Sequence, residues 1–206
     1  MFEDRIDAGK RLAENLTRYR DNDAVVLALP RGGVVVGYEI AMALHLPLDI
    51  VVTRKIGHPS NPEYAICAVD ALGTLLCSEP ESASVNQAWL KEKTNTEMKE
   101  AERRGLVYRA GKKPVDISGK VVIITDDGVA TGLSLRLAIM AVKAQKPKRV
   151  VVAVPVAPSD VVSKIKREVD ELIILEPPED FRGAVGAHYR HFDQVEDEDV
   201  IRLMGK

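Results

Sequence analysis

Residues 121–134 combine residue types that could bind and polarise a phosphorylated sugar. A run of mostly β-branched residues predicts a buried strand, which would deliver two adjacent carboxylates, Asp126 and Asp127, to its carboxyl end. Carboxylates accept hydrogen bonds from sugar hydroxyls and stabilise positive charge at an anomeric carbon. The helix that would follow offers unpaired backbone N–H groups and a positive dipole end to a phosphate. The segment therefore predicts a site for a sugar that carries a phosphate.

Between the carboxylates and the predicted helix lies a loop of small and hydroxyl residues. The predicted phosphate-binding residues of this loop are Gly128, Val129, Ala130, Thr131, Gly132 and Ser134. The glycines allow close backbone approach, and the two hydroxyls can donate hydrogen bonds. The loop is not a Walker A motif, because no lysine precedes its hydroxyl residue, and it is not G-x-G-x-x-G. The alternative is a simple capped turn; the register of strand, acids, loop and helix favours a binding site.

Short apolar runs bounded by turn residues are typical of strands that are covered on both faces of a parallel sheet. Such runs occupy residues 24–29, 48–53, 121–124, 150–154 and 171–175. Apolar residues with helical spacing cover residues 34–44 and 133–144. The alternation predicts an α/β fold, with a doubly wound, mainly parallel sheet flanked by helices. Ligands of such sheets bind at the carboxyl ends of strands, where the acid pair would lie.

Two other segments do not fit strand–helix units, and we predict a helical arm and a C-terminal hood or flap. A polar helix would run from Ser84, in a capping box with Gln87, to Arg104 and form an exposed arm. A cationic patch accompanies it, made of Arg103, Arg104, Arg109, Lys112 and Lys113. This patch is either a solvated face or a mobile lid for an anionic substrate. We expect a single domain over 1–206, with a core of about 20–176, the arm at about 78–118 and the hood at about 177–206.

Composition excludes several classes of protein. The 206 residues contain 29 Lys+Arg and 31 Asp+Glu, so the net charge is 29 − 31 = −2, which disfavours nucleic acid as a partner. No apolar run reaches the ~18 residues of a membrane span, and the acidic start is unlike a signal peptide. We therefore expect no membrane association and a cytoplasmic location. Cys67 and Cys77 are too few for a disulfide framework, so we expect two reduced thiols.

Residues 123–134 resemble the motif for 5-phosphoribosyl 1-diphosphate (PRPP) of type I phosphoribosyltransferases, in which hydrophobic residues precede two acids and a TG-containing loop. The resemblance extends over most of the chain. It implies that Asp126 and Asp127 hold the ribose 2′ and 3′ hydroxyls, that the loop from Gly128 to Ser134 binds the 5′-phosphate, and that Mg²⁺ accompanies PRPP. The metal would be held mainly through PRPP, with the two acids as its protein ligands.

Two further loops match the family's pyrophosphate contacts. Arg31 and Gly32 follow the first predicted strand, where the family has a short pyrophosphate loop, and a glycine pair with an arginine suits an anion. The alternative for this loop is a plain strand-to-helix turn. After the second predicted strand, the resemblance assigns Lys55 to the same anion, with Arg54 as the alternative. The nearby His58 is expected to lie in an ordinary loop.

The sequence departs from the family pattern at two positions. Several purine enzymes have an aspartate where this chain has Ala130, which cannot take a proton from a base. Other members, including orotate enzymes, also lack that aspartate. Gly128 stands where a branched aliphatic residue is commoner, and we expect a more flexible start of the loop there.

The acceptor would be chosen by the hood. Phe181, Tyr189 and Phe192 are three of the nine aromatic residues, and they form either a stacking platform for a flat base or a small satellite core. His188 and His191 have no third strong ligand at a usual spacing, so no dedicated transition-metal site is predicted.

The sequence therefore predicts a Mg²⁺-dependent phosphoribosyltransferase that moves the 5-phosphoribosyl group from PRPP to a nitrogen acceptor, a nucleobase in the first instance, with release of pyrophosphate. The alternative is a non-catalytic PRPP-binding sensor or regulator. Members of the family often form homodimers, and the sequence leaves both the acceptor and the oligomeric state open.

Overall fold

The computed structural model describes residues 1–205, apart from the side chain of Glu63. The strands are β1 (Ala24–Ala28), β2 (Leu48–Ile50), β3 (Thr53–His58), β4 (Asn61–Asp70), β5 (Leu75–Cys77), β6 (Val121–Thr125), β7 (Arg149–Val154) and β8 (Glu171–Ile174). The α-helices are α1 (Arg5–Asn15), α2 (Gly32–Leu44), α3 (Glu79–Ser84), α4 (Gln87–Tyr108), α5 (Leu133–Ala144), α6 (Ser159–Ile165) and α7 (Asp197–Met204).

Within the described residues, five strands form a parallel sheet in the order β2-β1-β6-β7-β8. One face carries Ile123 and packs against Leu12 of α1 and Ile40 of α2. The opposite face carries Ile124 and packs against helices α5 and α6. Both faces are covered because these strands consist almost entirely of aliphatic residues, as the sequence predicts. The structure therefore confirms the α/β fold with a parallel sheet flanked by helices.

A second, antiparallel sheet in the order β3-β4-β5 is absent from the sequence prediction. The expected strand over residues 48–53 ends at Ile50, and Thr53 begins the new sheet. His58, expected in an ordinary loop, is instead the last residue of β3 and pairs with Asn61, the first residue of β4. The sequence hides β3 because only Ile56 of that strand is buried, so it shows neither alternation nor an apolar run.

The two cysteines form a disulfide in the structure, so the expectation of two reduced thiols is wrong. Cys67 in β4 and Cys77 in β5 lie directly opposite each other in the antiparallel ladder. Directly opposite residues of neighbouring strands have close side chains. The separation of ten residues does not by itself indicate a disulfide, because the cysteines meet only through the hairpin that brings the two strands together.

The arm is a long helix, but it is not simply exposed. α4 begins at Gln87, capped by the side chain of Asn86, so the expected start at Ser84 is wrong. One face buries Ala101 and Tyr108. The helix also contributes Glu97, buried to 7% exposure, which receives ion pairs at 2.8 Å from Arg54 and 2.9 Å from Lys93.

The chain ends close the carboxyl edge of the sheet. α1 packs on α2. The hood segment pairs with the start of the chain through a β-bridge between Phe2 and Tyr189. α7 then packs against α2 and α4, with Val200 buried between Val34 and Tyr108. Within residues 1–205, none of the helices combines the length and the apolar character needed to span a bilayer.

Candidate functional site

A cavity of about 710 Å³ opens at the carboxyl ends of β1 and β6. The predicted site residues that line it are Arg31, Gly32, Lys55, Asp126, Asp127, Gly128, Ala130, Ser134 and Phe192. These residues come from the segments after β1 and β6, from strand β3 and from the hood. The parallel order of β1 and β6 places the pyrophosphate loop and the acid pair side by side, because both follow the carboxyl end of their strand.

The first acid has an altered proton affinity. Burial, together with the neighbouring charge of Asp127, raises the pKa of Asp126 well above its ordinary value of 3.8. The nearby charge of Lys55 acts in the opposite direction, and Asp126 Oδ1 accepts a hydrogen bond of 2.8 Å from the Asp127 backbone N–H. A buried carboxyl with a strongly raised pKa, lying in a cavity, is typical of functional sites.

The raised pKa predicts how stability depends on pH in the metal-free protein. In the unfolded chain the Asp126 carboxyl ionises near its ordinary 3.8, whereas the folded protein retains the proton to higher pH. Its contribution to the free energy of unfolding is therefore lost as pH rises towards the folded pKa. Because asparagine resembles the protonated acid, the stability of Asp126→Asn relative to wild type will increase as pH rises above the ordinary carboxyl pKa of 3.8. Urea denaturation in EDTA measures this, and a difference that does not grow with pH contradicts it.

The second acid makes one contact through its side chain and one through its backbone. The carboxylate Oδ2 of Asp127 lies 2.7 Å from Nε of Arg5, and its carbonyl accepts a hydrogen bond of 2.5 Å from the Tyr189 hydroxyl. Arg5 is a site residue that sequence reasoning missed. The apolar spacing of Ala8 and Leu12 could have suggested helix α1, but nothing in the pattern indicates a contact across 122 residues.

The predicted phosphate loop leads into α5 as expected. Gly132 caps the helix with a left-handed φ of 79°, and a pocket beside the loop is lined by Lys55, Thr131 and Ser134. Gly128 has a φ of 155°, and a Cβ there would lie 2.4 Å from Cγ1 of Val185 in the hood. The expectation of a flexible loop start is therefore corrected, since the glycine is needed for close contact between loop and hood.

The pyrophosphate loop connects β1 to α2 through a cis peptide between Pro30 and Arg31. The Arg31 guanidinium lies 3.1 Å from Glu196 and 3.5 Å from Asp197, at the start of α7. Lys55 lines the same cavity and has no ion-pair partner among the side chains that the structure describes. Arg54, the alternative to Lys55, is instead paired with Glu97. An unpaired ammonium is the more available of the two for an anion, which favours Lys55.

The cationic patch of the arm is dispersed by the fold. Arg103 and Arg104 both pair with Glu100, each through Nε at 2.7 Å. Arg109 lies 2.8 Å from the buried Asp49 and supports the strand β2. Arg104 alone of the five patch residues is among those that line the cavity within the described chain.

The hood aromatics occupy different environments. Phe192 lines the cavity and is 37% exposed. Tyr189 is buried and packs against Phe2, and Phe181 stacks on His188 at 5.3 Å. Neither is among the residues that line the cavity. Phe181 and Tyr189 therefore belong to a satellite core, whereas Phe192 is an exposed part of the cavity wall.

The two histidines have structural partners. Buried His188 shares a hydrogen bond with Glu176 through Nδ1 and accepts one of 3.0 Å from the Arg182 backbone N–H at Nε2. His191 lies 3.4 Å from Glu3. In the part of the chain that the structure describes, no group of three or more His, Cys, Asp or Glu side chains could hold a metal ion.

Comparison with known proteins gives concordant results. The family model of the phosphoribosyl transferase domain matches residues 2–189. Two Mycobacterium tuberculosis proteins, from strains H37Rv and CDC 1551 / Oshkosh, are each 35% identical to this chain over 208 residues. Both are named as proposed phosphoribosyl transferases. The alignment covers 100% of this chain and 47% of each relative, so the chain spans about half their length. The crystal structure of TT1426 from Thermus thermophilus matches with a TM-score of 0.80 and 41% identity, covering 98% of this chain and 97% of that one.

Proposed function

Because the chain belongs to the phosphoribosyl transferase domain family, we propose that it transfers the 5-phosphoribosyl group from PRPP to a nitrogen acceptor and releases pyrophosphate. The observation that carries this proposal is the junction of three differently charged surfaces in one cavity. The acid pair, the glycine loop before α5, and the basic wall of Arg31 and Lys55 all meet there. Each surface suits one part of PRPP.

The distribution of charged groups in the cavity indicates how PRPP would be oriented. The 5′-phosphate would bind the backbone amides between Gly128 and the start of α5, where the helix dipole favours an anion. The ribose hydroxyls would bind Asp126 and Asp127. The pyrophosphate would lie against Arg31, the Gly32 amide and Lys55, which offer a guanidinium fork, a backbone N–H and an ammonium.

The donor set is compatible with Mg²⁺ as part of the substrate complex. Magnesium favours oxygen ligands and usually binds one or two carboxylates together with substrate phosphates. The cavity offers the Asp126 and Asp127 carboxylates, so these would be the protein's contribution. When bound, the metal would neutralise charge on the pyrophosphate.

The residues of this chain would then assist displacement at the anomeric carbon. A nitrogen lone pair forms a bond to that carbon as the bond to the pyrophosphate oxygen breaks. Carboxylates stabilise the positive charge that develops on the sugar, and Arg31 and Lys55 stabilise the negative charge that leaves with the pyrophosphate. Ala130 lines the same cavity and supplies no base, so the acceptor proton does not transfer to a side chain at that position.

Phe192 is the side chain that we assign to the acceptor, because it is the hood aromatic exposed in the cavity. Loss of a stacking ring of this kind costs about 1 kcal/mol or more, so Phe192→Ala will raise the acceptor KM about tenfold and change the PRPP KM much less. Phe181→Ala is the matched control, since Phe181 stacks on His188 outside the cavity lining. Equal increases in both KM values for Phe192→Ala would contradict an acceptor role.

The proposal is tested by pyrophosphate release. The protein is incubated with PRPP, Mg²⁺ and purine, pyrimidine or other nitrogen acceptors, one at a time, and pyrophosphate is measured. Release that depends on one class of acceptor supports the transferase. Tight PRPP binding without release for any acceptor would instead support the non-catalytic sensor, and failure to bind PRPP would contradict both.

A further inference from the structure

We propose that Arg5 of helix α1 is a positioning residue for the ribose end of the site, where it holds the Asp127 carboxylate in the orientation that binds a sugar hydroxyl. This inference rests on the proposed function. Arg5 lies outside the glycine loop and the pyrophosphate loop, at the start of the first helix of the chain.

The contact between Arg5 and Asp127 is well shielded from water. Nε of Arg5 lies 2.7 Å from Oδ2 of Asp127, and the two side chains are 11% and 16% exposed. Shielded ion pairs hold their geometry more firmly than exposed ones, and loss of one partner is strongly unfavourable. The contact engages one carboxylate oxygen, Oδ2, and so fixes the direction of the carboxylate.

Arg5 is itself fixed by two further contacts. Its Nη1 donates a hydrogen bond of 2.7 Å to the Asp193 carbonyl, and its guanidinium lies 3.8 Å from the centre of the Phe192 ring. A guanidinium with three simultaneous contacts has little rotational freedom. Arg5 therefore connects the hood to the Asp127 carboxylate.

The pyrophosphate loop is shaped to admit this ion pair. A Cβ on Gly32 would lie 1.9 Å from Oδ2 of Asp127 and 2.8 Å from Nε of Arg5. Only glycine leaves this space free, since real side-chain atoms do not approach so closely. The ion pair thus lies between the residues that we assign to ribose and those that we assign to pyrophosphate.

Removal of Arg5 would release the acid from its orientation. Oδ2 of Asp127 would lose its 2.7 Å contact with the guanidinium, the contact that fixes the direction of the carboxylate. The carboxylate would turn to other orientations, and a sugar hydroxyl would lose an acceptor in the required position. A ligand without ribose would not depend on this acceptor.

Calorimetric titration with two probes, ribose 5-phosphate and inorganic pyrophosphate, each with Mg²⁺, separates the roles. For Arg5→Ala, we expect binding of ribose 5-phosphate to weaken about tenfold or more, and binding of pyrophosphate to change less than about threefold. Arg5→Lys keeps the charge and should restore part of the lost affinity. Arg11→Ala is the matched control, because Arg11 is on the same helix, lies over Phe2 and pairs with Asp7 away from the cavity.

The outcomes are distinguishable. If Arg5→Ala binds ribose 5-phosphate as wild type does, or more tightly, the positioning role is overturned while the proposed function stands. If both probes weaken equally and the melting temperature falls, Arg5 has only a structural role. If Arg5→Ala does not fold, Arg5→Lys carries the same comparison. If wild type itself binds neither probe, the proposed function fails.

Discussion

Conversion of both acids to amides, Asp126→Asn with Asp127→Asn, will lower PRPP-dependent turnover by at least about 10³-fold while the protein remains folded. The two carboxylates are the anionic groups that line the cavity among the described residues, so without them nothing offsets positive charge on the sugar. The amides keep the size and shape of the side chains, and the parallel sheet beneath them is unchanged. Pyrophosphate release measures the effect, and the melting temperature reports the fold.

A matched control for the amide pair is Asp23→Asn. Asp23 precedes β1 at the opposite edge of the sheet, where its contact with Lys120 is 3.9 Å and its side chain is 80% exposed. Exposed pairs of this kind contribute little, so turnover and stability should match wild type. If the double amide variant retained wild-type turnover, the role of the acids in the proposed chemistry would be refuted.

Substitution of Gly128 by alanine will have the second large effect. The new Cβ would lie 2.4 Å from Val185 Cγ1 and 2.9 Å from Val156 Cγ2, so the hood must move away from the loop. The backbone φ of 155° adds strain for any other residue. We expect a loss of about 1–3 kcal/mol in the free energy of unfolding and a fall in turnover of more than about tenfold. Urea denaturation and pyrophosphate release measure the two effects.

Two variants separate overlap from backbone strain. Gly119→Ala introduces a Cβ at a φ of 72° with no atom within 4 Å, so it reports backbone strain alone and should leave turnover unchanged. Val185→Ala in the Gly128→Ala background removes the closest overlap and should recover part of both losses. If the double variant behaves no better than Gly128→Ala alone, overlap with the hood is not the cause.

The sequence was sufficient to predict the parts of the fold that depend on local pattern. The aliphatic runs of β1, β6 and β7 bury both faces, and this shows directly in composition. The acid pair and the glycine loop are adjacent in the chain, so their placement follows from one strand end. The antiparallel sheet has no such signature, because buried and exposed residues do not alternate along β3, which contains the charged residues Arg54 and Lys55.

Contacts between distant segments could not be predicted. Arg5 meets Asp127, and Val185 fills the space beside Gly128, only because the two ends of the chain cross at the carboxyl edge of the sheet. The unusual glycine at position 128 is evident from the sequence, but the contact that requires it is made with the hood, which is distant in the chain. Likewise, the basic residues of α4 suggested a single patch, whereas pairing with Glu100 and Asp49 divides them.

The most direct test of the account is a crystal structure with PRPP and Mg²⁺ bound. We expect the 5′-phosphate on the amides of residues 128–134, ribose hydroxyls within hydrogen-bond distance of Asp126 and Asp127, and pyrophosphate against Arg31 and Lys55. A second cavity, of about 540 Å³, lies at the opposite edge of the sheet, where Arg18 and Arg149 pair with Glu171. PRPP bound there, or bound in the main cavity without contact to either acid, would contradict the central claim.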